Sequence, residues 1–235
     1  MAKMVGLSRN LKREWLEKAA ELKAEGLSLE EMREALHDYL GFEIKSQTNL
    51  RKTREILLRI WGMENNPYDE ELRSMALQLR REEPQDGLTA QWGLLMAAYP
   101  IFVDFCSVIG KLAEFQDVMT TAQIRQKIYD IWGERQTLLH GVDKLLATLV
   151  SLGALSRVKT GQYAVVRRDI GKQAAVFLLY AMMKTDGGSY YRLASLHMLP
   201  VFFPFRFETP QAEINVSPLF SWNRFGDEMT VSLAR

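Results

Sequence analysis

The sequence predicts a mainly α-helical protein: a helical bundle with an embedded winged helix-turn-helix and a short β-containing C-terminal tail. Three observations lead there. Apolar residues recur at helical spacing over most of residues 10–199. The stretch from Thr120 to Arg168 reads as helix, short break, second helix and β-hairpin, the order of a winged helix-turn-helix. From Pro200 onward the helical period breaks, and Pro204, Pro210 and Pro218 interrupt any long element.

Four units follow along the chain: a helix-turn-helix-like unit over 1–66, central helices over 67–118, the winged unit over 119–169, and C-terminal helices with an aromatic tail over 170–235. In the first unit, Leu11, Trp15 and Leu22 mark the inner face of one helix. Gly26-Leu27-Ser28 ends it, and Ser28 with Glu31 forms a capping box for the next, whose face is Met32, Leu36 and Leu40. Ser46 caps a third helix that reaches Trp61 with Leu50, Leu57 and Ile60 inward and Arg51, Lys52 and Arg59 outward. A basic third helix fits a DNA-contacting unit and equally fits a solvated face of an ordinary bundle. Residues 69–83 read as a solvated charged helix. Leu88–Tyr99 and Ile101–Phe115 suit an apolar helical hairpin jointed at Pro100, with Trp92, Phe102 and Phe105 in the core.

The winged unit carries the functional expectation. Thr120 and Gln123 form a capping box, and Ile124, Ile128 and Ile131 define one helical face. Gly133 ends that helix. Over 137–152 the residues Leu138, Val142, Leu145, Leu149 and Leu152 fall on one side, and Thr137, His140, Lys144 and Ser151 on the other. Strands over 154–158 and 162–166 flank a turn at Gly161. Helix-turn-helix proteins read bases with the front of their second helix. The candidate DNA contacts are therefore Arg135, Gln136, Thr137, His140 and Lys144, with Arg157 and Lys159 on the wing beside phosphates. Winged helices also dock proteins, so that reading stays open.

Beyond the wing, residues 171–184 predict an apolar helix and a short helix runs to Leu199. Strands are expected near 201–208, 212–217 and 229–233. The tail aromatics Phe202, Phe203, Phe205, Phe207, Phe220, Trp222 and Phe225 would cover the core or a partner surface.

Charge narrows the function. The net charge is +1, but residues 125–168 hold eight Lys/Arg against three Asp/Glu, and residues 45–59 hold five against Glu55. The remainder is net −8, so positive charge is gathered where a polyanion-binding surface needs it. Cys106 is the single cysteine, which excludes an intramolecular disulfide and sets a reducing cytoplasm as the expected location. The start MAKMVGLSRNLKREW lacks the apolar core of a secretion signal. The most apolar run, Ala174–Met183, is half of the ~20 residues a bilayer requires, so no membrane partner is expected. His37, His140 and His197 are scattered, and no phosphate-loop, dinucleotide or nucleophile-elbow motif occurs. No metal, cofactor or catalytic residue is expected, and a binding protein is preferred to an enzyme.

Three stretches resemble the BrxA proteins of BREX phage-defence systems: Ser46-Gln47-Thr48 with the following NLRKTREILLRIW helix, YPIFVDF at Tyr99–Phe105, and LLHGVDKLLATLVSLGAL leading into the wing. The resemblance spans roughly residues 10–166. It implies a small, mostly helical, non-catalytic subunit that binds double-stranded DNA with little sequence preference, alongside other defence-system proteins. The rival expectation is a protein-protein adaptor that docks partners through the winged helix and aromatic tail.

Overall fold

The computed structural model describes residues 6–188, 190–226 and 228–234 and is mainly helical with small sheets. The chain opens with α1 (Arg13–Ala24), α2 (Leu29–Gly41) and α3 (Gln47–Trp61). Each start obeys local chemistry. Ser28 accepts the Glu31 amide hydrogen, and the Glu31 carboxylate accepts the Ser28 amide at 2.8 Å. Ser46 caps α3 by accepting from Asn49. The expected inner faces are buried, with Leu36, Leu40 and Leu57 fully enclosed.

Next comes α4 (Asp69–Glu82). It is not the solvated helix its charge suggests. Leu72, Ala76 and Leu79 are buried at i, i+4 and i+7, a stripe narrow enough to vanish in a charge count yet sufficient to seat the helix. Arg73 is buried with them and donates to the Ile60 and Met63 carbonyls, closing the end of α3. The apolar pair is α5 (Gly87–Ala98) and α6 (Pro100–Ala113), which turn by 119° at Pro100 rather than folding back as a hairpin. Every residue of α5 is buried.

The middle of the chain runs β1 (Val118–Thr120), α7 (Thr121–Trp132), α8 (Gln136–Ser151), β2 (Leu155–Lys159) and β3 (Gln162–Val165). The three strands form one antiparallel sheet in the order β1-β3-β2. The hairpin strands were expected; β1, which pairs Met119 with Tyr163, was not.

The C-terminal region adds β4 (Arg168–Asp169), α9 (Lys172–Asp186), β5 (Tyr191–Arg192), β6 (Phe205–Arg206), α10 (Gln211–Val216), β7 (Phe220–Phe225) and β8 (Glu228–Leu233). Here the expected pattern changes most. The short helix before Leu199 is a 3-10 segment, Leu193–Met198. The 201–208 strand shrinks to two residues, and 212–217 is helical, because Pro210 is followed by the helix formers Gln211, Ala212 and Glu213. β8 matches the expected final strand and pairs with the unforeseen β7.

Two glycines set the core spacing. A Cβ on Gly110 of α6 would lie 2.0 Å from the Pro200 carbonyl oxygen, and one on Gly93 of α5 would meet the Phe177 ring of α9 at 2.4 Å. These close approaches bring the tail onto the central helices. Phe102, Phe203 and Phe205 meet the Trp92 indole edge-on at centroid distances of 4.9, 5.4 and 5.3 Å. Trp92 Nε1 donates to the Val201 carbonyl at 3.1 Å. Among the described residues no single helix is long and apolar enough to cross a membrane; the bent pair around Pro100 passes on length and composition, but its α5 half is buried throughout.

Candidate nucleic-acid interface

The start of α7 is fixed twice. Thr120 and Gln123 form the expected capping box, and the Thr121 amide donates to the Gly161 carbonyl at 2.9 Å. Gly161, at φ +72°, makes the hairpin turn, so the β2–β3 tip is clamped onto the front of α7. Ile124 and Ile128 are buried as expected. Ile131 is instead 52% exposed, and Trp132 takes the inward position, donating to Asp104 of α6 at 2.9 Å. The next inward position after Ile128 is four residues on, which a count by three misses.

α8 buries Leu138, Val142, Leu145 and Leu149, and Leu152 beyond its end. Gln136, Thr137 and His140 are exposed on its first turns, as expected. Arg135 is half-buried at the N-cap and Lys144 is half-buried further along. Leu139 and Asp143 share the exposed side. Asp143 accepts from Arg125 of α7 at 3.1 Å, so this surface holds an acid as well as cations. Charge counting did not single out that pair, although helical spacing places Asp143 three residues after His140.

On the β2–β3 hairpin, Arg157 and Lys159 are exposed. The Arg157 guanidinium lies 6.0 Å from the Tyr163 ring centre. Because the hairpin tip sits on the front of α7, it is one length of that 12-residue helix, about 18 Å, from the α7–α8 break. Gln136, Thr137 and His140 therefore form one cluster, and Arg157 with Lys159 a second. Arg168 does not join either. It is half-buried and donates to the Gly153 carbonyl at 2.6 Å, satisfying the end of α8.

The α3 cations divide. Arg51 and Lys52 are exposed. Arg59 is partly buried, with Nε donating to the Ala98 carbonyl at 3.2 Å and its guanidinium 5.5 Å from the Tyr99 ring centre. It does not point freely outward. All three line one groove of about 360 Å³, floored by Ile56, Met63 and Tyr99. Burial pushes the Tyr99 hydroxyl well up, and the Arg59 charge partly offsets this.

The helices that carry the two basic segments are held together. The buried Thr148 hydroxyl of α8 accepts the Leu11 amide at 2.9 Å and donates to the Lys144 carbonyl at 2.9 Å. Ser151 accepts the Arg13 amide at 3.0 Å. α1 also packs on α3, so α8 and α3 are linked through a single helix.

Cys106 is fully buried, which raises its thiol pKa well above the ordinary value. Among the described residues no three His, Cys, Asp or Glu side chains could hold a metal ion. Comparisons with family models, curated proteins and solved structures returned no match for this chain.

Proposed function

We propose that this chain is a non-catalytic, sequence-tolerant double-stranded DNA-binding protein, with residues 119–169 acting as a winged helix-turn-helix. The observation that carries the reading is the polar exposed side of the first turns of α8, with Gln136, Thr137 and His140, on a helix whose opposite side is buried and apolar but for Thr148. The order β1-α7-α8-β2-β3 around a three-stranded antiparallel sheet supports it. α8 is about 24 Å long, and the major groove, about 12 Å wide, admits an α-helix. In this reading Arg135 and Lys144 contact phosphates near α8, Arg157 and Lys159 do so from the wing, and Arg51 and Lys52 extend the contact from α3. Phosphate contacts position the protein without selecting a sequence. On the resemblance of its sequence to the BrxA proteins, the activity we propose would serve a BREX-like phage-defence complex.

The adaptor reading loses part of its basis, because Phe202, Phe203, Phe205 and Phe220 are buried in this chain's own core. The test is fluorescence anisotropy with random-sequence duplexes at low and moderate salt. Binding at micromolar concentration or tighter, falling steeply with salt, is expected. No binding at low salt would favour the adaptor.

A further inference from the structure

The groove beside α3 is built differently from the face of α8. Its cations are Arg51, Lys52 and Arg59, and its floor is the buried edge of Ile56 and Tyr99 together with Met63. Arg59 is tethered at Nε by the Ala98 carbonyl and held over the Tyr99 ring. An arginine anchored at Nε keeps its remaining N–H groups as a fixed fork, the geometry that matches phosphate oxygens in pairs. The one acid on the wall, Glu55, is already engaged: its carboxylate accepts from Arg54 at 3.1 and 2.8 Å and lies 3.6 Å from Arg33. Gly6 and Ser8 complete the lining. The result is a concave, apolar-floored site with positive charge along one wall, within the size range of small-ligand pockets.

We propose that this groove is a phosphate-binding site of nucleotide size. Arg59 supplies the fixed fork, Arg51 and Lys52 the rim cations, and the Ile56–Tyr99–Met63 floor takes the sugar or base of the ligand. The shared chemistry is a phosphoryl group attached to a nucleoside. Its source is either a free nucleotide or a nucleotide of a DNA strand. The proposal does not rest on the reading of α8, since the groove is complete without it.

The experiment is calorimetric titration of the full chain with dAMP and with inorganic phosphate, beside anisotropy with a duplex. Each is repeated for the double variant R51A/K52A, whose exposed side chains leave folding intact, and for R59K, which keeps the charge but loses the fork. dAMP is expected to bind with Kd below about 1 mM, and inorganic phosphate more weakly for want of a body to fill the floor. The double variant and R59K should each weaken dAMP by roughly tenfold or more, the size of one charge-assisted hydrogen bond. If the double variant loses dAMP while duplex affinity holds, the source is a free nucleotide. If duplex affinity falls in R59K as in the double variant and dAMP competes with the duplex, the source is a strand. Either result supports the site. No binding of dAMP or phosphate, with duplex affinity unchanged in both variants, overturns it. Loss of duplex binding in α8 and wing variants, with dAMP binding kept, would mark the two sites as separate.

Discussion

Residues 45–59 and 125–168 carry net charges of +4 and +5, yet the fold uses the two sets of cations differently. In the first segment, Lys45 donates to the Phe42 carbonyl, Arg54 holds Glu55, and Arg59 closes the end of α5, leaving Arg51 and Lys52 as exposed neighbours at the mouth of a groove. In the second, Arg125 is paired with Asp143 and Arg168 satisfies the end of α8, while Lys159 and Arg167 stand exposed along the hairpin and just after it. One region concentrates charge in a concavity; the other spreads it over a helix and a strand. A concavity suits a single phosphate group, and a spread surface suits a polyanion whose phosphates recur along its length. Net charge per segment does not distinguish the two, because backbone carbonyls recruit cations without appearing in any charge count.

The largest expected effect tests whether the spread surface binds DNA. Replacing Arg135, Lys144, Arg157 and Lys159 together by alanine should weaken random-duplex binding by at least about a hundredfold near physiological salt and flatten the salt dependence by roughly one unit of slope per lost contact. Circular dichroism checks that the variant remains folded. Unchanged affinity in a folded variant would transfer the DNA contact to α3 and dissolve the contrast.

How much of this was legible in the sequence differs element by element. Helix starts were readable wherever a side chain caps its own helix, as at Ser28, Ser46 and Thr120, because the chemistry is complete within four residues. The hairpin was readable from Gly161. β1 was not, since three residues, Val118–Thr120, carry no period and the strand exists only by pairing with β3 over forty positions away. The tail misled for a related reason: Gln211–Val216 buries a single side chain, Ile214, so its pattern has no face to declare. Among the site residues, the exposure of Thr137 and His140 followed from helical spacing. The tethering of Arg59 did not, because its partners, Ala98 at the end of α5 and Tyr99 just beyond it, are about forty residues away in sequence.

The second effect probes the joint between the two regions. Thr148→Val keeps the shape of the side chain but removes the acceptor for the Leu11 amide. A buried donor left unpaired costs about 1–3 kcal/mol, so urea unfolding should shift by that amount. Duplex binding at a temperature where the variant is folded should keep its salt slope, since no phosphate contact is altered. A change in slope would mean that α1 and α3 take part in the same DNA footprint as α8.

A smaller effect contrasts compensated with uncompensated charge. Unlike Glu55, Glu83 sits beside another carboxylate, Asp86, which accepts the Gly171 amide at 2.9 Å. Burial first, then the hydrogen bond with the Asp86 side chain, then the Asp86 charge raise the Glu83 pKa above its ordinary value. A carboxyl pKa raised by folding means the folded state holds the proton more tightly. That stability is present below the unfolded pKa and fades as pH rises through the folded one. The melting temperature should therefore decline over the window just above the ordinary carboxylate range. Glu83→Gln should flatten that decline and raise stability at neutral pH. An unchanged pH profile would show that solvent already screens the pair.

The smallest effect bears on the acid on the exposed side of α8. Asp143 is on the exposed side of α8, one residue before Lys144, and is paired with Arg125. Its side chain is 55% exposed, so the pair lies where ion pairs contribute about 0–1 kcal/mol, and Asp143→Asn should leave stability nearly unchanged. Its consequence for binding has a definite sign. If this face approaches phosphates as proposed, removing one negative charge from it lowers repulsion and releases Arg125 to the same surface, so random-duplex affinity should rise about two- to fivefold at low salt, with the gain fading as salt screens it. Two duplexes that differ only in G·C content then separate repulsion from readout. An equal gain on both means that Asp143 merely opposes the backbone. A gain on the A·T-rich duplex with a loss on the G·C-rich one means that the carboxylate accepts from the exposed amino group of cytosine in the major groove, and that this face of α8 has a sequence preference after all.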